Sequence, residues 1–94
     1  MEKELTKVMR LMIGKLVRMD KWGGAHTEMR NLTKGLPLHF TQNRKGKKII
    51  AEVMKELNKK ELIITKQSTG ELHVSLNPKQ LKEIMRFYED MAPK

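Results

Sequence analysis

Thr41, Gln42, Asn43, Arg44, Lys45, Lys47 and Lys48 crowd into one short stretch of the chain and combine two kinds of chemistry. An arginine fork can bind a guanine edge bidentately, and the amides of Gln42 or Asn43 can do the same with adenine. Lysine ammonium groups such as Lys47 and Lys48 suit backbone phosphates. Residues that read bases and residues that hold phosphates are what a nucleic-acid interface needs. The plain alternative is the solvated face of a surface helix. The surrounding charge argues against it. From Lys21 to Lys48 the bases are Lys21, Arg30, Lys34, Arg44, Lys45, Lys47 and Lys48, and the one acid is Glu28. Seven minus one leaves +6 of the +9 carried by the whole chain. Charge placed this unevenly points to an anionic partner rather than to solubility alone.

Other chemistries find little support. His26, His39 and His73 are scattered, with no metal-ligand spacing, and cysteine is absent, so no metal or cofactor is expected. Gly46-Lys47-Lys48 lacks both the upstream glycine and the following Ser or Thr of a nucleotide-binding loop. Ser68, Ser75 and the histidines form no nucleophile signature, and no acid/base pair stands out, so an enzyme is not expected. No apolar run approaches the ~18 residues of a membrane span. The charged start Met1-Glu2-Lys3-Glu4 lacks the apolar core of a signal peptide. With no cysteine, these features fit a cytoplasmic protein with no membrane partner, nucleoid-associated if its anionic partner is DNA.

The elements that must position the basic stretch follow from periodicity. At 94 residues with 38% apolar content, one domain over residues 1–94 is expected. Leu5, Val8, Met9, Met12, Leu16 and Met19 recur at three- and four-residue steps, one face of a helix over about 3–19. Leu11, Ile13 and Val17 widen that stripe, so the helix is either central or meets a second subunit. Trp22-Gly23-Gly24 ends it, with Trp22 as a core plug under the turn. Thr27 is positioned to cap a short helix over 28–33, closed by Gly35 and Pro37. Residues from Leu36 to Thr41 read as a link. A third helix over about 42–59 has Ile50, Val53, Met54 and Leu57 as its inner stripe, with Gly46 allowing close packing. Arg44, Lys45, Lys48, Lys55 and Lys59 then face outward.

The period changes after Lys59. Leu62-Ile63-Ile64-Thr65 is strand-like, Gln67-Ser68-Thr69-Gly70 is a turn, and Leu72, Val74 and Leu76 alternate with polar residues. This predicts a β-hairpin over 62–76. Asn77-Pro78 opens a last helix over 78–91, with Leu81, Ile84, Tyr88 and Met91 facing inward. No strand is evident between the first two helices, and residues near Ala25 are the only room for one. The fold class is α+β and mostly helical.

Trp22-Gly23-Gly24-Ala25-His26-Thr27, Asn31-Leu32-Thr33-Lys34-Gly35-Leu36-Pro37 and Leu72-His73-Val74-Ser75-Leu76-Asn77-Pro78, set in this order of elements, carry a further likeness. The chain resembles small archaeal winged helix-turn-helix DNA-binding proteins, a family of transcriptional regulators, over almost its whole length. The resemblance implies a three-helix core, a hairpin wing, and double-stranded DNA as partner. It implies that the third helix enters the major groove with Thr41, Gln42, Asn43, Arg44, Lys45 and Lys48 near base edges. The wing tip, Lys66 to Glu71, would offer Lys66, Ser68 and Thr69 to phosphates. Such proteins commonly pair through terminal helices. The wide stripe of the first helix, with Met85 and Phe87 on the last, therefore implies a homodimer. The rival reading is a winged-helix module that docks on protein or RNA and never reads DNA sequence.

Overall fold

The computed structural model describes residues 2–91. The chain forms an α+β structure that is mostly helical, with one three-stranded antiparallel sheet. Helix α1 spans Glu2–Arg18 and strand β1 spans Thr27–Glu28. Helices α2 (Met29–Thr33), α3 (Leu38–Thr41) and α4 (Arg44–Lys59) follow. Strands β2 (Ile63–Ser68) and β3 (Glu71–Leu76) make the hairpin, and a 3₁₀ turn at Pro78–Gln80 leads into α5 (Leu81–Met91). The sheet order is β1-β3-β2.

Helix α1 is the centre of the packing. Val8, Met9, Met12, Ile13 and Leu16 are buried, and Leu5, Leu11 and Val17 pack half-buried against the same core. The helix lies against α2, α4, α5 and β3. Its apolar stripe is wide because it has four neighbours to face. Part of the breadth from which a second subunit was expected is thus used within the chain, while Leu11 and Val17 remain only half-buried. Each large aliphatic side chain enclosed here contributes about 1.5–3 kcal/mol of burial.

The end of α1 is set by Asp20 rather than by the glycines. Asp20 adopts a left-handed conformation (φ 56°), and the Lys21 amide donates back to the Leu16 carbonyl at 3.0 Å. That is a left-handed helix stop made without glycine. The two glycines act later, where Gly23 (φ 58°) donates its amide to the Leu76 carbonyl at 2.9 Å. Trp22, bridged to Leu76, packs half-buried against the core, as its position under the turn predicted.

Three local expectations need correcting. First, a strand does exist between α1 and α2, two residues beyond Ala25: Thr27 pairs with Val74 and Glu28 with His73. Thr27 therefore does not cap α2. Its buried hydroxyl lies 3.4 Å from the Asn31 amide, and Glu28 occupies the cap position with no side-chain cap bond. Second, the link from Leu36 to Thr41 contains a helical turn, α3, entered through Pro37 and anchored by fully buried Phe40. Third, the inner face of α4 is Gly46, Ile49, Val53 and Leu57, while Ile50 and Met54 are only half-buried. At 100° per residue the buried face is turned about 45° from the expected stripe. The reason is Gly46, which draws that side of the helix against α3.

The hairpin and last helix follow the sequence more closely. Ile63 pairs with Leu76 and Ser68 with Glu71, so the loop is Thr69-Gly70. Both residues have positive φ (49° and 79°), the geometry of a tight two-residue hairpin turn. The alternation expected in β3 is not seen in its burial. Glu71, Leu72 and His73 are all half-buried, and Val74, Ser75 and Leu76 are all buried, because the strand is central and its end is covered on both faces. Asn77 caps the 3₁₀ turn by accepting from the Lys79 amide at 3.1 Å. On α5, Ile84 is buried and Tyr88 half-buried, whereas Leu81 is 51% exposed because it closes the 3₁₀ turn instead of facing the core. The Met91 side chain, expected on the inner face, lies outside the described residues.

Candidate nucleic-acid interface

The start of α4 is a rigid platform for positive charge. Asn43 is its N-cap, accepting the Gly46 amide at 2.7 Å through the side-chain oxygen. Gly46 is buried against the backbone of His39 and Phe40 in α3, so the first turn of α4 packs directly on α3. Arg44, Lys45, Lys47 and Lys48 are all exposed around this anchored turn. There is no acid in the first turn, and none of the four joins an ion pair among the described residues. The positive end of the helix dipole adds to their field.

The residues expected to read bases do not all belong to α4. Thr41 is the last residue of α3, and its hydroxyl lies 3.5 Å from the Leu38 carbonyl. Gln42 ends that helix, with its amide donating to Leu38 at 2.8 Å. The helix therefore begins at Arg44, not near residue 42. Asn43 commits its oxygen to the cap and keeps only its amide NH₂ for a partner. The turned inner face also leaves Lys45 and Lys47 flanking the outward ridge of Arg44, Lys48, Lys55 and Lys59 rather than leaving Lys45 on the ridge.

The basic block is continuous in sequence but not in space. Lys21 sits beside Leu76, at the end of the molecule where α4 terminates. Its carbonyl accepts the Leu76 amide at 2.8 Å, and the next residue, Asn77, donates to Leu62 at 3.0 Å. Arg30 is neutralised: its guanidinium bonds the Glu28 carboxylate and lies 4.0 Å from Glu71. The Glu28 hydrogen bond, with the charges of Glu28 and Glu71, raises its pKa further. What remains near the start of α4 is Lys34, Arg44, Lys45, Lys47 and Lys48. Lys34 lines a polar cleft of about 600 Å³ with Glu28, Arg30, Asn31, Thr33 and Thr41. That cleft joins α2 to the end of α3.

The hairpin tip reaches the same side of the molecule. Glu71, at the tip, contacts Arg30, and Arg30 shares the cleft with Thr41, three residues before Arg44. Hairpin tip, α2 and the end of α3 thus line one surface, and α4 starts three residues beyond it. Of the expected wing donors, Lys66 is exposed and faces outward opposite His73. Ser68 is half-buried, and the Thr69 hydroxyl donates to the Ser68 carbonyl at 2.7 Å.

One arrangement was invisible in the sequence. His26, just before β1, and His73, on β3, meet with their Nδ1 atoms 3.0 Å apart and their rings edge to face. Only the β1–β3 pairing brings them together, and a two-residue strand leaves no periodic signal. His39 instead lies against the Phe40 ring. Among the described residues no group of three or more His, Cys, Asp or Glu converges as a metal site. Among them, too, no helix is long and apolar enough to cross a membrane.

Comparisons with protein-family models, with curated proteins and with solved structures return no match. The functional reading therefore rests on the geometry of this chain.

Proposed function

We propose that this chain is a winged helix-turn-helix protein that binds duplex DNA and regulates transcription. In this reading α4 is the recognition helix, α2 and α3 brace it, and the β2–β3 hairpin is the wing. The element order supports the assignment, including the short strand β1 that closes the sheet. The observation that carries it is the start of α4. Four exposed cations, none in an ion pair among the described residues, surround a capped, backbone-anchored helix terminus, next to the cleft that Arg30 shares with the end of α3.

Duplex is favoured over single strand by what this face lacks. The exposed residues from Arg44 to Lys55 are Arg44, Lys45, Lys47, Lys48, Ala51, Glu52 and Lys55, with no ring for a base to stack on. Arg44 then reads a base edge, while Lys47, Lys48 and Lys34 hold phosphates. The wing contributes one charge, Lys66, and rests on the backbone rather than entering a groove.

A second reading, a module that docks on another protein, is favoured by Leu38. This side chain is 67% exposed beside the basic turn and has no role in phosphate binding. Selection of bound sequences from random duplex DNA, followed by binding measured across salt concentrations, separates the two. A sequence-reading helix yields a preferred site whose advantage over random duplex persists at moderate salt. A purely coulombic surface yields no consensus, and its binding collapses steeply as salt rises.

A further inference from the structure

We propose that His26 and His73 form a two-imidazole chelate for a borderline divalent transition-metal ion, of the zinc, nickel and copper class, on the outer face of the sheet. The two Nδ1 atoms point at each other across 3.0 Å. That is hydrogen-bonding distance, with the donor and acceptor roles set by the two tautomers, so an N–H of one ring faces the lone pair of the other. A metal can take the place of that proton. Two nitrogens on a tetrahedral ion, each about 2.0–2.1 Å away, stand about 3.3 Å apart. The rings need to part by only a few tenths of an ångström, and the imidazole nitrogen is the ligand this class of ion prefers.

The surroundings permit entry and hold the rings in register. His26 is exposed and His73 half-buried, so the ion can arrive from solvent. His73 is fixed on the central strand between Glu28 of β1 and Lys66 of β2. Glu28 favours a cation at this place and Lys66 opposes it. The Glu28 carboxylate is bonded to Arg30 through one oxygen, and Glu71 lies 4.0 Å from the same guanidinium, so Arg30 competes with the ion for both acids. Water completes the coordination. The site therefore binds reversibly, and because an imidazole must be neutral to ligate a metal, binding weakens as pH falls. The metal clips the segment before β1 to β3, and through β1 steadies the start of α2. This inference stands apart from the nucleic-acid reading and survives its failure.

Titration of the untagged protein with ZnCl₂ and with NiCl₂ at pH 7.5 tests it. The expected result is one ion per chain and a rise in unfolding temperature with metal, both lost at pH 5. His26→Gln and His73→Gln should each weaken binding at least tenfold, and His39→Gln should leave it unchanged. In the wild-type protein the ring signals of His26 and His73 should respond together by NMR at one metal concentration. That measurement decides the matter even if a variant fails to fold. No saturable binding up to millimolar metal, unchanged binding in both variants, or a response from only one of the two rings overturns the chelate.

Discussion

Phe40 and Gly46 meet backbone to backbone, and this contact fixes where the basic face of α4 points. A β-carbon built on Gly46 would overlap the carbonyl oxygen of His39 and the Cα of Phe40, and would stand 2.6 Å from the Phe40 carbonyl oxygen. None of these atoms belongs to a side chain that can swing away. Gly46→Ala gains about 1 kcal/mol of helix propensity but forces α3 and α4 apart. Overpacking a tight interior costs about 1–3 kcal/mol, and three backbone contacts this short put it at the upper end, so the expected net loss is about 1–2 kcal/mol. Urea unfolding measures it. Unchanged or increased stability would show that α3 and α4 are not locked at this point.

Much of the fold was legible because its signals are long. The helical period of Leu5 to Met19, the change to alternation after Lys59, and Asn77-Pro78 each span enough residues to declare themselves. What escaped notice is short or tertiary. Strand β1 has two residues and no period, and α3 is a four-residue turn entered from Pro37. The turn of α4 toward Ile49 follows from the Gly46 contact, which no helical wheel contains.

The candidate site was legible as charge and illegible as geometry. Arg44, Lys45, Lys47 and Lys48 could be picked out by type. That Arg30 is neutralised, that Asn43 and Thr69 spend hydrogen-bonding atoms on their own backbone, and that Lys21 lies at the far end of α4 required the tertiary contacts. His26 and His73 stand 47 residues apart and meet only through the sheet.

Asn77 ties the end of α4 to the start of the last helix. Its amide NH₂ donates to the Glu61 carbonyl at 2.8 Å while its oxygen accepts the Lys79 amide at 3.1 Å. Asn77→Ala removes both bonds and should cost about 1–2 kcal/mol. Asn77→Asp restores the cap but not the donor, so it should recover only part of the loss. Equilibrium unfolding of the three proteins checks this order, and an alanine variant as stable as the parent would remove the claim.

Thr69 is a β-branched residue held at φ 49° in the hairpin turn, beside Gly70 at φ 79°. Asparagine tolerates this conformation far better than threonine. Thr69→Asn should therefore stabilise the protein by about 0.5–1 kcal/mol, even though the bond to the Ser68 carbonyl is lost. Gly70→Ala meets no atom within 4 Å, so its cost is conformational alone, about 1 kcal/mol in the opposite direction. Thermal unfolding should place the two variants on opposite sides of the parent. If both fall on the same side, the turn is not held in this conformation.

Arg44 and Lys48 lie one turn apart on the outward ridge of α4, and the proposed function gives them different work. Arg44 sits at the first helical position, nearest a base edge. Arg44→Ala should cost about 1–3 kcal/mol on the preferred site and relax the sequence preference there. In the same reading Lys48 faces a phosphate. Lys48→Ala should weaken all duplexes about equally and reduce the salt slope by about one unit. Glu52, a further turn along and exposed, would repel the backbone and so marks where contact ends. Lys55 and Lys59 beyond it should be nearly neutral when replaced, although they carry the same charge on the same ridge. Binding of each variant to preferred and random duplexes at several salt concentrations reads out all four effects. The pattern matters more than any single loss. If Lys55 and Lys59 govern binding while Arg44 does not, the far half of α4 faces the partner, and docking on another macromolecule becomes the better account of this surface.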